Sequence, residues 1–181
     1  MKDMNDSCHK KVELSYGLRL IADHVADNSR VLDLGCGDGS LLHFLKEHKN
    51  VKGWGVDISY ENVLCCIKRG ISVFQGDIEE GLDDFQNDLY DYVIISQTMQ
   101  EIRSIERLML EALRIGNQVI VSFPNFAFFA NRIYLLFRGL SPVTANLPHA
   151  WYRSPNVHFF SINDFRYFCS DKNIQILNEV S

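Results

Sequence analysis

Hydrophobic residues along this chain alternate between two kinds of spacing. Leu14, Leu18, Ile21 and Val25 recur at helical spacing and predict a first helix, after which short apolar runs alternate with helical stretches. The predicted strands cover 30–34, 51–56, 71–75, 90–95, 115–123 and 174–179, and the helices between or after them cover 40–48, 60–69, 104–114, 126–138 and 163–172. Because strands joined through helices run parallel and need cover on both faces, we expect an α/β fold with a doubly wound, mostly parallel sheet.

Composition and charge fit one globular domain. The chain has 181 residues, of which 46% are hydrophobic, and this is enough for a core that needs neither disulfides nor metals. We therefore expect a flexible N-terminus over residues 1–12 and a single domain over 13–181. The formal charge of -5 and the lack of a basic block make nucleic acid a poor candidate partner.

The chain also shows no sign of export or of a membrane anchor. Residues 1–11 are polar, unlike a signal peptide, and the most hydrophobic segment, 126–137, is far shorter than the roughly 20 residues that span a bilayer. The cysteines, at positions 8, 36, 65, 66 and 169, lack metal-ligand spacing. We expect a cytoplasmic protein with reduced thiols, no membrane contact and no metal site.

A glycine-rich turn follows the first predicted strand, with the sequence Asp-Leu-Gly-Cys-Gly-Asp-Gly-Ser. Glycine reaches backbone dihedrals that side chains forbid and leaves the main chain open to a ligand. The G-x-G-x-G spacing differs from the G-x-G-x-x-G of dinucleotide-binding turns. It is similar to the first motif of class I methyltransferases, which bind S-adenosylmethionine (SAM), and Asp33 suits the ammonium group of that ligand. The ligand residues expected here are Asp33, Gly35, Cys36, Gly37, Asp38 and Gly39.

Three further strand ends carry polar residues, and in a parallel sheet these ends share one edge. Asp57 can accept hydrogen bonds from ribose hydroxyls; alternatively it caps the following helix, a role that suits Ser59 better. In the methyltransferase family an acid after the third strand contacts the adenine amino group; Asp77 has that position here, and Ile78 would flank the ring. The ligand residues expected at these ends are Asp57, Ile58, Gly76, Asp77, Ile78, Ser96 and Gln97.

A catalytic group is harder to find. The fourth strand is followed by Gln-Thr-Met-Gln at 97–100, which is neither the Asn-Pro-Pro-Tyr of amino methylases nor a Pro-Cys nucleophile. His158 is the candidate acid or base, and the alternative is a loop histidine that caps a backbone carbonyl. The aromatic residues at 123, 126, 128 and 129 could form a substrate wall, a partner surface or part of the core.

Several segments of the chain are distinctive when taken together and in this order: Arg30–Gly39, Ser122-Phe-Pro-Asn-Phe, Leu147-Pro148, Trp151-Tyr152 and Ser154-Pro-Asn-Val-His-Phe. On these segments the chain, from about Glu13 onward, resembles the MetW family of methionine-biosynthesis proteins. The resemblance implies a Rossmann-like class I methyltransferase fold that works beside homoserine O-acyltransferase, usually as an accessory protein. Such sheets normally end in one more, antiparallel strand, for which too few residues remain after 174–179; we expect either a truncated chain or a sheet edge that something else completes.

Three functional hypotheses follow. The first is an accessory protein that binds SAM or S-adenosyl-L-homocysteine and activates homoserine O-acyltransferase. The second is an active SAM-dependent methyltransferase that acts on a small molecule. The third is a structural protein with a vestigial pocket, which binding of the cofactor would exclude.

Overall fold

The computed structural model describes residues 14–144 and 147–180, and the predicted flexible segment 1–12 lies outside them. The described residues form two compact units. The first comprises 14–99 and 103–122, and the second comprises 100–102, 123–144 and 147–180. A single domain over 13–181 stays a prediction, because compact units can share one domain.

The first unit is a five-stranded parallel sheet with four helices, which confirms the predicted doubly wound fold. Its strands are β1 Arg30–Leu34, β2 Lys52–Asp57, β3 Ser72–Gln75, β4 Tyr90–Ser96 and β5 Gly116–Ser122, in the order β3-β2-β1-β4-β5. Its helices are α1 Tyr16–His24, α2 Ser40–Lys49, α3 Tyr60–Lys68 and α4 Ile105–Ile115. The strand order reverses between β1 and β4, the point where ligands bind in open α/β sheets.

The core lies against the two central strands of this sheet. Val31, Leu32 and Leu34 of β1 are fully buried, as expected for a parallel strand that is covered on both faces. Helix α2 packs closely on β2 because β2 carries glycine where the helix crosses it. A Cβ on Gly53 would lie 2.9 Å from Leu42 Cδ2. This close contact fixes the start of α2, and therefore the turn before it.

The second unit contains α5 Phe129–Arg138 and α6 Ile162–Asp171. Helix α6 begins with a capping box in which the side chains of Ser161 and Asp164 each accept from the other's backbone N–H. Aromatic rings hold the unit together: Phe123 packs against Phe160 with 4.6 Å between ring centroids. Part of the predicted aromatic cluster is thus packed inside the unit, whereas the rings at 128 and 129 are exposed.

The predicted sixth strand at 174–179 is wrong. The described residues 174–180 form no strand, although Ile174 and Ile176 alternate with polar neighbours as in a strand. A strand needs a hydrogen-bonding partner and a buried face, and here Leu177 and Val180 are exposed. The segment is tied instead to α6 by two hydrogen bonds from Arg166 to Glu179, of 2.9 and 2.6 Å.

The cysteines depart in part from the prediction of reduced thiols. Cys36, Cys66 and Cys169 are free, whereas Cys65 is disulfide-bonded. Binding of a metal ion requires a group of at least three His, Cys, Asp or Glu side chains, and the described ranges contain no such group. None of the helices in the described part of the chain has the length and apolar character needed to cross a bilayer.

Candidate functional site

The carboxyl ends of the parallel strands bring most of the predicted ligand residues to one edge of the sheet. Asp33 lies next to the last residue of β1, and Asp57 and Ser96 end β2 and β4. The register sets Asp33 opposite Gly55 and Ile94, so these strand ends are direct neighbours. Gly76 and Asp77 follow β3 directly, and the Gly76 N–H donates to the Asp57 carbonyl at 3.1 Å.

The glycine turn after β1 is held in place by backbone hydrogen bonds. Gly35, Gly37 and Gly39 have φ values of 79°, 56° and 75°, in the left-handed region that favours glycine. The N–H groups of Gly35 and Cys36 both donate to the Val56 carbonyl, at 2.8 and 3.1 Å. Helix α2 starts immediately after Gly39, which as the N-cap residue has no side chain to cap the helix.

The three glycines differ in what surrounds them. A Cβ on Gly35 would overlap the Thr98 side chain, and one on Gly39 would lie 2.8 Å from Cys66 Sγ. These two positions are therefore glycine because the protein itself packs against them. Gly37 is different, because no described atom lies within 4 Å of the Cβ position. Packing leaves open space there, where a ligand can approach the backbone.

Asp57, the last residue of β2, holds the glycine turn through a hydrogen bond. Its Oδ2 accepts from the Gly37 N–H at 2.8 Å, and its Oδ1 accepts from the Ser59 N–H at 2.9 Å and from Asn62 Nδ2 at 3.0 Å. The helix cap that was the alternative role belongs to Ser59, whose Oγ accepts from the Asn62 N–H. A carboxylate offers about four acceptor positions, so roughly one remains for a ligand hydroxyl unless a present bond is released.

Asp33 is a buried carboxyl without a full set of partners. The residue is 2% exposed, and its Oδ1 accepts no hydrogen bond from the described residues. Burial raises the pKa of Asp33 to about 7, and the negative charge of Asp57 contributes to the same shift. A buried acceptor of this kind costs free energy in the ligand-free protein and is a site for a donor or a cation.

Asp38 is fixed by a buried arginine. Arg69, directly after α3, donates through Nη2 to Asp38 Oδ2 at 2.8 Å and through Nη1 to Ser40 Oγ at 2.5 Å. The Arg69 side chain is almost wholly buried, while that of Asp38 is about half exposed. Asp38 Oδ1 also accepts from the Ser40 N–H at 3.1 Å, so these contacts lock the junction between the turn and α2.

The remaining predicted residues divide between open and packed positions. Ile58 is exposed at the edge, whereas Ile78 is buried and lines a small cavity with Leu82 and Leu108. Of these two apolar candidates, Ile58 is therefore the one open to an adenine ring. Asp77 Oδ1 accepts from the Glu79 N–H at 2.8 Å.

The end of β4 is joined to the end of β5. Ser96 Oγ lies 2.9 Å from Ser122 Oγ, and the Gln97 N–H donates to the Ser122 carbonyl at 2.9 Å. Gln97 has a φ of 55°, so the chain turns sharply at this point. His158, the candidate acid or base, belongs to the second unit, where its N–H donates to the Gln100 carbonyl at 3.0 Å.

Sequence reasoning missed the residues in α3 and directly after it that hold the glycine turn. Asn62 bonds Asp57, Cys66 packs against Gly39, and Arg69 pairs with Asp38. Their spacing of four and three residues places them on one helical face, a signal that the sequence does carry. Thr98, which fills the space beside Gly35, has no comparable signal, because its role depends on a neighbour far away in the chain.

A parallel sheet in this order, with a glycine turn after β1 and acids at the next strand ends, defines a class I methyltransferase fold. Solved structures agree: a SAM-dependent methyltransferase of Archaeoglobus fulgidus is 19% identical with a TM-score of 0.66, covering 86% of this chain and 65% of that one. A second, from Thermotoga maritima, is 22% identical with a TM-score of 0.63, covering 85% of this chain and 67% of that one. At these identities the likeness shows the fold alone.

The family follows from the sequence. The family described as "Methionine biosynthesis protein MetW" matches residues 16–181, and the chain belongs to this family. A curated relative from Rhodopirellula baltica, the "Bifunctional methionine biosynthesis protein MetXA/MetW", is 36% identical over an alignment of 169 residues that covers 88% of this chain. The chain spans only 27% of the length of that relative.

Proposed function

We propose that this chain binds SAM or S-adenosyl-L-homocysteine and acts as an accessory partner of homoserine O-acyltransferase in the cytoplasm. Membership of a methionine-biosynthesis family gives the pathway. The bifunctional relative carries MetXA and MetW in one polypeptide, and this joining supports an acyltransferase as the partner. The single observation that carries the ligand proposal is the buried Asp33 carboxyl, whose Oδ1 has no hydrogen-bond partner among the described residues, on the strand that leads into the glycine turn.

The described residues fit this cofactor. Its amino-acid end carries an ammonium group, which would supply the missing donor to Asp33 Oδ1 and neutralise the buried charge. The open space at Gly37 allows close approach to the backbone, and Asp57 has roughly one acceptor position left for a ribose hydroxyl. Ile58 offers exposed apolar surface to the adenine. When bound, the sulfonium would supply a methyl group that a nucleophile could attack.

An active methyltransferase is the second candidate, because related folds from other organisms carry that name. The segment after β4 offers this activity little support. Thr98 packs against Gly35 and Met99 is fully buried, so neither side chain is free to hold an acceptor. Methyl transfer needs a general base only when the nucleophile must lose a proton, so the lack of one does not exclude the reaction.

The accessory role predicts that purified homoserine O-acyltransferase from the same genome responds to this chain. Adding the chain should raise its rate, and SAM should change that effect, with a coupling of roughly 5- to 150-fold as is typical of linked sites. Initial rates of homoserine acylation, measured with and without the chain and with and without SAM, check this. Acyltransferase that neither binds the chain nor changes rate would contradict the accessory role. Transfer of labelled methyl to a metabolite fraction would favour the second candidate.

A further inference from the structure

Helix α5 presents an apolar face to solvent. Phe129, Ile133, Leu136 and Phe137 follow one another at helical spacing, and we call them the α5 face. Each is between 50% and 80% exposed. Helices normally turn such a stripe toward a core, and a continuous exposed stripe of large apolar side chains marks an interaction site.

The buried residue of α5 is polar, unlike its exposed face. Asn131 donates through Nδ2 to the Phe126 carbonyl at 3.0 Å, and through its backbone N–H to the Phe128 carbonyl. These bonds join the first turn of the helix to the segment directly before it. A helix of ten residues is marginal by itself, so burying the α5 face against a partner would stabilise it.

The charge around α5 is also unusual for this chain. The chain as a whole carries -5, yet no Asp or Glu occurs between Glu111 and Asp164. Within the same stretch α5 carries Arg132 and Arg138, and Arg153 follows later. Arg132 is exposed, and Arg138 lies over the Tyr134 ring at 5.4 Å. The helix thus combines an exposed apolar stripe with positive charge only, which complements an apolar surface edged by carboxylates.

We infer that the α5 face is the docking surface for the acyltransferase, through a patch of that partner that is apolar at its centre and acidic at its rim. This inference rests on the proposed function, because it names the surface through which the proposed partner binds. The MetXA/MetW relative carries both proteins in one chain, so the two parts stay together. An exposed apolar stripe suits such a lasting interface, because obligate interfaces are more hydrophobic than transient ones. Arg132 and Arg138 would add orientation and speed of association more than affinity.

Two substitutions test the docking surface. Leu136→Glu would bury an unpaired carboxylate at the centre of the interface and should weaken binding at least about 30-fold. Arg132→Glu should weaken binding less, about three- to tenfold, and the difference should shrink between 50 and 500 mM salt because rim charges are screened. Leu110→Glu is the matched control, since Leu110 is an exposed apolar residue on α4. Affinity for the full-length acyltransferase, measured by surface plasmon resonance, reads out all three.

The outcomes separate this inference from the proposed function. Binding by wild type and by Leu110→Glu, with loss in Leu136→Glu, supports the docking surface. Equal binding by wild type and Leu136→Glu overturns the docking surface and leaves the partnership standing, whereas no binding by wild type overturns both. Sedimentation of the chain alone and flotation with vesicles containing phosphatidylserine test two other occupants. In one further outcome, Leu136→Glu abolishes a dimer of the chain, or its binding to vesicles, and leaves its affinity for the acyltransferase unchanged. That result would also overturn the inference.

Discussion

Asp33→Asn is expected to abolish cofactor binding and, at the same time, to stabilise the ligand-free protein at neutral pH. The pKa of Asp33 is raised to about 7 in the folded protein by burial and by the charge of Asp57, against an ordinary value of 3.8. Between these values the folded state holds a proton that the unfolded chain has released. The stabilisation that the protonated Asp33 carboxyl contributes is therefore fully present below about pH 4 and is lost as the pH rises toward 7.

The measurement is the free energy of unfolding of wild type and Asp33→Asn between pH 4 and pH 8. The advantage of the variant should grow by on the order of 4 kcal/mol over that range, from the shift between 3.8 and about 7. Asp91→Asn is the matched control with the opposite sign, because hydrogen bonds from Arg30 hold the pKa of Asp91 below its usual range. Asp91→Asn should therefore lower the free energy of unfolding at neutral pH, and this effect should disappear in acid. A pH-independent difference for Asp33→Asn would contradict this account of the buried carboxyl.

Substitutions at Gly35 and Gly37 are expected to separate folding from ligand binding. Alanine at Gly37 meets the strain of a positive φ, about 1–2 kcal/mol, but its Cβ points into open space. Alanine at Gly35 meets the same strain and also overlaps Thr98, which adds roughly 1–3 kcal/mol. Thermal unfolding should therefore show the larger loss in Gly35→Ala.

Ligand binding should follow a different order. Since the Cβ of Gly37→Ala would occupy the space that the cofactor uses, binding should weaken roughly tenfold to 100-fold in a protein that remains folded. Gly35→Ala combined with Thr98→Ala, which relieves the overlap, should recover the part of the stability that the overlap cost and keep the loss due to the positive φ. If Gly37→Ala bound the cofactor as tightly as wild type, the ligand would not lie against this turn.

The positions of the five strands could be predicted because buried parallel strands carry a strong local signal. The apolar run before the glycine turn and the turn itself predict β1 at 30–34, the same bounds that the structure shows. The strand predicted at 174–179 failed because its apolar alternation is local, whereas strand pairing depends on a neighbour elsewhere in the chain.

The contacts that hold the site could not be predicted for the same reason. Asp38 and Ser40 accept hydrogen bonds from the buried Arg69 side chain, and the helical spacing of Arg69 indicates its face but not these partners. The glycine pattern predicted a turn, but not that Gly35 and Gly39 serve packing while Gly37 is left open. These distinctions depend on tertiary contacts. Helical spacing indicates which face of a helix a residue lies on, but not which distant residue that face contacts.

Isothermal titration of the wild-type chain with S-adenosyl-L-homocysteine tests the central claim most directly. The account predicts one site with micromolar affinity near pH 7.5, weakening toward pH 5.5 by roughly tenfold per unit once Asp33 must lose its proton to meet the ammonium group. Asp33→Asn should show no such pH dependence and little binding. Absence of binding by the wild-type chain across this range would contradict the claim that the carboxyl edge of the sheet holds an adenosyl ligand.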